Sequence, residues 1–409
     1  MALIVISATG EDEPGLVAKI TREIAERKYN IIDIEETVIQ GLFSIIMIVE
    51  IPDADMAKLP TLQETYQQLE KSTRLLISVK PYKEGRRPAE SDFSVITIIG
   101  KDRPGIVARV SSFLYEKNVN INRIKMIARG DIIAMELHVD IKDLKISKVQ
   151  FREELKSIGE ELDLGVIFQP ETRYNKAKKL IVFDMDSTLV EGETILQIAE
   201  GSGTQKQVAE ISEKASSGQM DFRQALKERV KLLKGIPVSF LEKVANQMTL
   251  NPGVEELIQA LKMMGYKIAL ISGGFTYFTD RLKERLGLDY AFGNKLVIDE
   301  VNGVLTGEVE ENLIIDAKKK AEILAWLAKV ENVSKDEIVA VGDSETDRFM
   351  IENAGLSIGF NPKKILSMAT DGNIKQNIFS IIYSLGIPDK KLALMSQNLE
   401  KKAKNKSNF

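Results

Sequence analysis

The segment from residue 1 to residue 170 contains the same motif twice. GEDEPGLVAKI begins at Gly10 and GKDRPGIVARV begins at Gly100, and the same offset aligns Asn30 with Asn120. A repeat of this length constrains the fold because both copies must form the same supersecondary unit. In each copy the apolar pattern predicts the order strand, helix, strand, strand, helix, strand.

The strand-to-helix corner of each copy reads Asp-x-Pro-Gly, and this corner has two interpretations. A Pro at the first helical position loses no hydrogen bond, and an Asp two residues earlier can cap exposed amides, so the motif predicts a helix start. The same corner, followed by Asn-Ile at the next strand, resembles the ACT domain over residues 3–82 and 93–169. The resemblance implies a ferredoxin-like βαββαβ fold that binds amino acids. It makes candidate ligand residues of Asp12, Asn30, Asp102 and Asn120, with capping or turn roles as the alternative.

Composition limits the chemistry that is available to the chain. There is no cysteine and one histidine, which excludes thiol nucleophiles, disulfides and zinc-cysteine sites. The 56 basic and 60 acidic residues form no long block of one sign outside the Lys-rich tail, so neither nucleic acid nor a membrane surface is indicated as a partner. No signal-peptide pattern or long apolar run is present, so we expect a cytoplasmic protein. Catalysis would fall to carboxylates, hydroxyls and lysines.

Polar segments that contain Gly or Pro divide the chain into domains. YKEGRRPAESD at residues 82–92 predicts a linker, and QPETRYNKAKK at residues 169–179 precedes a different pattern. From Leu180 onward strands alternate with helices, which predicts a parallel sheet with helices on both faces. We therefore predict ACT-like domains at residues 1–85 and 92–170, an α/β domain at 178–390 and a polar tail at 391–409.

Polar residues follow three apolar strands of the α/β domain, and one lysine opens a helix between them. They are Asp184 and Asp186 after LIVF, Ser272, Gly273 and Gly274 after KIALI, Asp343 and Asp347 after EIVAVG, and Lys320. Ligands bind at the carboxyl ends of strands in open parallel sheets, so we expect these residues to meet. An Asp-x-Asp alone is also typical of a turn, whereas the whole set is not.

In this order the motifs D-x-D-S-T, S-G-G, Lys and G-D-x-x-x-D resemble the haloacid dehalogenase superfamily of phosphotransferases over residues 178–386. The resemblance implies a doubly wound, Rossmann-like sheet and an aspartyl-phosphate intermediate. Asp184 would be the nucleophile, and Asp186 would protonate the leaving group and then deprotonate water. Ser272, Gly273 and Gly274 would hold phosphate oxygens, and Lys320 would neutralise the charge of the transferred group.

A magnesium ion is expected on chemical grounds. A carboxylate that approaches a phosphate dianion is repelled by about 4 kcal/mol per charge pair at about 4 Å and an effective dielectric constant near 20. Mg²⁺ prefers oxygen ligands, and no His or Cys cluster offers a softer metal a site. The resemblance implies that Asp184, Asp343 and the backbone carbonyl of Asp186 bind Mg²⁺ and that Asp347 orients a metal-bound water. Asp186 must also keep a proton near neutral pH, which requires a raised pKa.

Residues 191–250 have helical periodicity, which predicts a helical cap that excludes water from the pocket. The cap sequence, with FDMDSTLV before it and SGGF after it, resembles the phosphoserine phosphatase family. That resemblance implies that Glu193 pairs with the substrate ammonium, that Arg229 grips its carboxylate and that Phe222 and Thr346 also lie at the substrate. Two positions depart from the family pattern: Ser216 stands where a Met is common, and Thr346 stands where an Asn is usual.

The leading hypothesis is a Mg²⁺-dependent enzyme that hydrolyses L-phosphoserine in the last step of serine biosynthesis and is regulated by amino-acid binding. One alternative is a phosphatase or phosphotransferase for another small ester. A second is an amino-acid-sensing protein whose phosphatase domain is vestigial. We also expect a homodimer, because ACT domains commonly associate.

Overall fold

The computed structural model describes residues 1–83, 91–130, 132–375, 377–389 and 391–392. The chain divides into two compact units, Met1–Glu90 and Ser91–Phe409. Residues 84–90 of the expected linker and residues 393–409 of the expected tail lie outside the described part. No helix in the described part is long and apolar enough to span a membrane.

The first unit is a four-stranded antiparallel sheet with two helices, in the predicted βαββαβ order. Its elements are β1 (Ala2–Glu11), α1 (Leu16–Glu26), β2 (Asn30–Ile39), β3 (Leu42–Ile51), α2 (Leu59–Thr73) and β4 (Leu76–Tyr82). The strands lie in the order β2-β3-β1-β4. Ile4 and Ile6 of β1 are buried with Leu16, Ile20 and Ile24 of α1, because alternate strand residues and every third or fourth helix residue face the same core.

The helix starts correct one sequence prediction. We expected Pro near the first helical position and an Asp cap, but α1 begins at Leu16, after Gly15, and no side chain caps it. Gly15 has φ of +91°, and its counterpart Gly105 has φ of +95°. Glycine is favoured at both positions because this left-handed conformation strains other residues. The Asp-x-Pro-Gly motif therefore turns the chain ahead of the helix.

The second unit begins with the second copy of the repeat. Its elements are β5 (Phe93–Lys101), α3 (Ile106–Glu116), β6 (Asn120–Ala128), β7 (Ile132–Asp140), α4 (Lys148–Glu161) and β8 (Leu164–Pro170). The strands lie in the order β6-β7-β5-β8, which matches the order in the first unit. The repeat therefore produces the same topology twice, and both copies have the ferredoxin-like fold.

The remainder of the second unit is an α/β domain with a helical insertion after its first strand. Its elements are α5 (Glu171–Tyr174), β9 (Leu180–Phe183), α6 (Thr194–Glu200), α7 (Gln205–Ser216), α8 (Phe222–Lys231), α9 (Val238–Gln247), α10 (Val254–Met263), β10 (Lys267–Phe275), α11 (Thr276–Leu286), β11 (Tyr290–Asn294), β12 (Leu296–Asp299), β13 (Val304–Val309), α12 (Ala317–Val330), β14 (Ile338–Gly342), α13 (Arg348–Glu352), β15 (Leu356–Phe360), α14 (Lys364–Ala369), β16 (Gly372–Ile374) and α15 (Ile381–Ser384). The strands β11-β10-β9-β14-β15-β16 pair in parallel.

Strand β9 shows why its sequence is apolar without interruption. Leu180 and Val182 belong to one hydrophobic core, and Ile181 and Phe183 belong to the core on the opposite face. All four side chains are fully buried. A parallel strand that is covered on both faces reads as a continuous apolar run, as the sequence predicted.

The second ACT-like sheet and the α/β sheet form one ten-stranded sheet, which the sequence analysis did not predict. Strand β8 pairs antiparallel with β16, and the pairs include Ile167 with Gly372 and Val166 with Asn373. Glycine allows the close approach of the two strands: a Cβ on Gly372 would lie 2.3 Å from the carbonyl oxygen of Val166.

Candidate active site

Strand β9 ends at the two acids that the sequence analysis placed at the centre of the site. Asp184 is 5% exposed, and its amide donates to the carbonyl of Val341 at 3.0 Å, which joins the end of β9 to the end of β14. Asp186 is half-buried, and its Oδ1 accepts a hydrogen bond from the amide of Thr194 at 2.9 Å. Both carboxylates line one cavity of about 280 Å³.

Three buried carboxylates converge at the carboxyl ends of β9 and β14. Asp184, Asp343 and Asp347 each offer one oxygen, and these oxygens lie within 4.8 Å of one another. The amide of Asp343 donates to Oδ2 of Asp347 at 3.1 Å, which holds the acid after β14 against the strand end. Gly342 permits this packing, because a Cβ there would lie 2.5 Å from the Asp347 carboxyl carbon.

Lys320 places its ammonium between two of these acids. Its Nζ donates to Asp184 at 2.5 Å and to Asp347 at 2.7 Å, and the residue is 1% exposed. Burial alone would lower the pKa of Lys320, but the charges of Asp184 and Asp347 outweigh burial and raise it. The lysine is therefore a fixed cation at this end of the sheet.

The carboxyl groups have raised pKa values for identifiable reasons. Burial, followed by the charge of Asp347, raises the pKa of Asp184 to about 7 against the opposing charge of Lys320. Burial and the charges of Asp184 and Asp347 raise the pKa of Asp343 to about 8. One buried lysine does not balance three buried carboxylates, so the site favours either protons or a further cation. An all-oxygen donor set of this kind fits Mg²⁺.

The pKa of Asp186 moves in the direction that a proton-donating acid requires. Burial raises it to about 6, although the hydrogen bond from the amide of Thr194 acts in the opposite direction. The nearby carboxylate of Glu193 raises it further. A substantial fraction of Asp186 is then protonated slightly below neutral pH, which an unperturbed aspartate is not.

The end of β10 forms a small polar loop beside the acids. The amide of Gly274 donates to Oγ of Ser272 at 2.9 Å, and the Gly273 carbonyl accepts from Nδ2 of Asn294 at 2.7 Å. Side chains at the two glycines would clash with the pocket wall: a Cβ on Gly274 would lie 2.7 Å from Met185, and a Cβ on Gly273 would lie 3.1 Å from the ring of Phe222. Backbone amides in such a loop suit the oxygens of an anion.

The helical insertion places a charged pair over the same cavity. Glu193, Phe222 and Arg229 all line it, as does Ser212 of α7. The Arg229 Nη1 donates to Oγ of Ser212 at 3.0 Å, and its Nε donates to the carbonyl of Ala225 at 3.3 Å. Burial lowers the pKa of Arg229, and the carboxylate of Glu193 opposes that shift. One wall of the cavity thus carries a carboxylate, which could pair with a positive group of a ligand, and a guanidinium, which could pair with a negative one.

Domain profiles of known families match all three parts of the chain. A haloacid dehalogenase-like hydrolase profile matches residues 178–355. ACT domain profiles match residues 2–79 and 94–146. The two resemblances found in the motifs thus agree with the profile matches, which cover most of the first ACT domain and part of each of the other two domains.

Full-length relatives decide the family. The chain is 44% identical over 313 residues to the phosphoserine phosphatase of Archaeoglobus fulgidus, across 76% of this chain and 89% of that protein. It is 31% identical over 386 residues to the phosphoserine phosphatase of Streptomyces coelicolor, across 94% of this chain and 92% of that protein. The chain belongs to the phosphoserine phosphatase family. A solved structure of a probable phosphoserine phosphatase from Vibrio cholerae matches with a TM-score of 0.56 and 30% identity, across 74% of this chain and 88% of that one.

The cavity of this phosphoserine phosphatase family member brings together nearly all the residues that the sequence analysis selected. Its lining includes Asp184, Asp186, Glu193, Phe222, Arg229, Ser272, Gly273, Gly274, Lys320, Asp343 and Thr346. Asp347 is fully buried behind Asp343 and Lys320, which it contacts directly. Of the two departures from the family pattern, Ser216 lines the cavity and Thr346 shares a hydrogen bond of 2.9 Å with Ser344.

Sequence reasoning missed several residues of the site. Ser212, Lys363 and Ile365 line the cavity, and Asn294 supports the Ser-Gly-Gly loop. Asn294 is 1% exposed, and its Oδ1 accepts from the amide of Ile315 at 2.7 Å. The Asn at the end of the largely apolar run YAFGN was a signal in the sequence, because an amide that becomes buried needs hydrogen-bond partners.

The candidate effector residues lie at two places in each ACT domain, after the first strand and at the start of the second strand. In the first unit, Asp12 lines a separate cavity of about 460 Å³ together with Gly15, Glu36 and Phe43. Asn30 begins β2 and is not part of that lining. In the second copy Asp102 follows β5, while Asn120 begins β6 and its Nδ2 donates to Oδ1 of Asn122 at 2.9 Å.

Proposed function

We propose that the protein is a Mg²⁺-dependent phosphatase that hydrolyses L-phosphoserine to L-serine and phosphate. The observation that carries the proposal is the shared cavity, in which the nucleophile, acid and phosphate loop face the Glu193 and Arg229 pair. A substrate with a phosphate at one end and an ammonium and a carboxylate at the other end complements both sides. The family relationship supports the same substrate.

In the proposed reaction Asp184 attacks phosphorus, and the bond between phosphorus and the serine oxygen breaks. Asp186 gives its proton to the departing alkoxide, which leaves as the hydroxyl of serine. Asp186 then removes a proton from water, and this water attacks the phosphorus of the aspartyl-phosphate and restores the Asp184 carboxylate. A pKa near 6 allows Asp186 to serve in both directions close to neutral pH.

Asp184 and Asp343 would hold Mg²⁺, with Asp347 behind them, and the ion when bound would supply positive charge to the phosphate oxygens. Lys320 adds a fixed positive charge beside Asp184. Ser272 and the amides of Gly273 and Gly274 would orient the phosphate. Together these groups offset the repulsion between the attacking carboxylate and the phosphate dianion.

The two alternative functions make different demands on the site. A phosphatase or phosphotransferase for another ester would use the same acids, but it would not need the Glu193 and Arg229 pair. A vestigial domain in an amino-acid sensor is disfavoured because Asp184, Asp186 and Lys320 are present and line one cavity.

Phosphate release from L-phosphoserine and a panel of small phosphate esters, with and without Mg²⁺, tests the proposal. We expect phosphoserine to have the highest kcat/KM and activity to require Mg²⁺. Asp184→Asn should abolish turnover, since an amide is not a nucleophile of this kind. Asp280→Asn is the matched control, because Asp280 is exposed on α11 away from the cavity. A preference for another ester, or equal inactivity of wild type and Asp184→Asn, would refute the proposal.

We further propose that the protein is a homodimer and that its domains divide at residues 85, 92, 170, 178 and 390.

We also propose that the ACT domains bind serine or a related amino acid and tune activity. The ACT profiles and the cavity beside Asp12 support this proposal. Calorimetric titration of amino acids into the full chain tests it, and the absence of heat at millimolar concentrations would leave the repeats without an effector role.

A further inference from the structure

The junction between the second ACT domain and the phosphatase domain contains a buried lysine. Lys156 of α4 is 5% exposed, and its Nζ donates to the carbonyls of Ser367 at 2.5 Å and Thr370 at 2.6 Å. The same ammonium contacts Glu153 of its own helix at 3.2 Å. Lys156 therefore binds two backbone acceptors at the carboxyl end of α14, which is part of the phosphatase domain.

Further contacts hold the residues that directly follow α14. Arg152, one turn earlier on α4, pairs with Asp371 at 3.3 Å. Asp371 in turn accepts from the amide and the hydroxyl of Ser357 on β15, each at 2.9 Å. The β8 and β16 pairing begins at the following residue, Gly372. The ACT domain thus fixes the end of α14 through a backbone ladder and two cationic side chains.

The other end of α14 reaches the active-site cavity. The amide of Lys363 donates to the carbonyl of Asp343 at 2.8 Å, directly before α14 begins. Lys363 and Ile365 both line the cavity. The ammonium of Lys363 also acts on the carboxyl group of Asp343, whose pKa it lowers against the larger effect of burial. A shift of this short helix would therefore move both Lys363 and the backbone of Asp343.

We infer that Lys156, a residue of the second ACT domain, is a positioning residue for the phosphatase site, because it holds α14 and thereby places Asp343 and Lys363. This inference rests on the proposed function for its kinetic readout. It makes the second ACT domain a structural component of the metal and phosphate side of the cavity. On the Glu193 and Arg229 side, Arg229 is held by Ser212 of the cap helix α7.

The first test is Lys156→Met, which keeps the length of the side chain and removes its three donors. We expect kcat to fall roughly tenfold and the Mg²⁺ concentration for half-maximal activity to rise by a similar factor, with the KM for phosphoserine nearly unchanged. Lys117→Met is the matched control. Lys117 pairs with Glu154 of the same helix α4, within the ACT domain, and its loss should leave all three parameters unchanged.

Hydrogen exchange separates this inference from the proposed function, because it needs no turnover. In Lys156→Met, amides of residues 361–371 should exchange faster than in wild type, whereas amides of the cap helices should not. If wild type released no phosphate from phosphoserine, the proposed function would be wrong. The hydrogen-exchange measurement would still test whether Lys156 positions α14. Unchanged exchange in this segment, or a loss of kcat without a change in Mg²⁺ dependence, would overturn the inference.

Two further variants cover the case in which Lys156→Met folds poorly. Arg152→Met breaks a more exposed contact to the same segment and should shift kcat and Mg²⁺ dependence in the same direction by a smaller factor. Lys156→Arg retains donors at this position and should restore most of the activity. If Arg152→Met behaves as wild type in both exchange and kinetics, the coupling through α14 is absent.

Discussion

At the residue scale, three buried carboxylates face one buried lysine, and this imbalance makes metal binding depend on pH. The pKa values of Asp184 and Asp343 are raised to about 7 and about 8, so in the metal-free protein each carboxyl is mainly protonated only below that pH. Protonation of these two groups contributes to the free energy of unfolding. This contribution is fully present below the ordinary aspartate pKa and is lost as pH rises through about 7 to 8. Mg²⁺ must displace any remaining protons.

We therefore predict that Mg²⁺ raises the Tm more at about pH 8.5, where both carboxyls are ionised, than at about pH 6, where protons compete with the ion. Thermal melts in excess Mg²⁺ and in chelator at the two pH values measure this difference. Asp280→Asn should show the same pH dependence as wild type. An equal Mg²⁺ shift at both pH values would contradict the raised pKa values.

Arg229 should determine how well the site distinguishes a carboxylate at the far end of the substrate. Hydrogen bonds to charged groups contribute about 1.5 to 3 kcal/mol, so Arg229→Met should lower kcat/KM for phosphoserine by roughly tenfold to a hundredfold. Phosphoethanolamine has the ammonium but lacks the carboxylate, and its kcat/KM should change much less. Parallel kinetics with the two esters test this, and an equal loss on both would remove Arg229 from carboxylate recognition.

The residues that sequence reasoning could find are those whose place follows from the backbone. Asp184 and Asp343 come directly after apolar strands, and the ends of parallel strands meet at one edge of a sheet. Ser212 and Lys363 carry no such signal. Their position depends on how α7 and α14 pack against the rest of the domain, which a local pattern does not specify.

At the element scale, strand β16 depends on a residue without a side chain. A Cβ on Gly372 would lie 2.3 Å from the Val166 carbonyl oxygen, so Gly372→Ala must push β16 away from β8. We predict a loss of about 1–3 kcal/mol in the free energy of unfolding of the second unit. Denaturant unfolding measures it, and Lys375→Ala, an exposed substitution just after the strand, should stay within about 0.5 kcal/mol of wild type. Equal stability of the two variants would argue against the close strand contact.

Helical periodicity located the cap, and the structure has four helices, α6 to α9, within residues 191–250. The hairpin of β12 and β13 and the three-residue strand β16 were not predicted, because such short elements take their conformation from their partners. Strand β4 lies at the edge of its sheet, whereas β8 lies between β5 and β16, and the sequences of the two strands reflect this difference. Leu76 near the start of β4 is exposed, whereas β8 has Gly165 near its start, where a Cβ would lie 2.9 Å from the Asn373 carbonyl.

At the scale of the whole molecule, every residue proposed for catalysis belongs to the second compact unit. We predict that a chain of residues 91–409 retains kcat for phosphoserine within about twofold of the full chain, apart from any effector response, because it keeps the ten-stranded sheet intact. A chain of residues 178–409 lacks β8 and α4, so β16 becomes an unpaired edge. Its Tm and kcat should both fall well below those of the 91–409 chain.

Kinetics and thermal melts of the full chain and both truncated chains test this prediction together. The decisive comparison is between the two truncations, since both lack the first unit. If the 178–409 chain matched the 91–409 chain in Tm and kcat, the second ACT domain would be dispensable for the phosphatase fold. If the 91–409 chain were inactive, the first unit would be required for catalysis.

The pairing of β8 with β16 also limits how genes of this kind can be rearranged. A crossover between residues 171 and 179 would give the phosphatase domain a foreign strand and a foreign helix in place of β8 and α4. The strand would have to supply a glycine at the position of Gly165, and the helix would have to supply cations in place of Arg152 and Lys156. A crossover near Glu90 falls between the two compact units, and each described β-ladder lies within one of them. In this chain, replacing the first ACT domain should therefore cost less stability than replacing the second, whose strand β8 pairs with the phosphatase sheet.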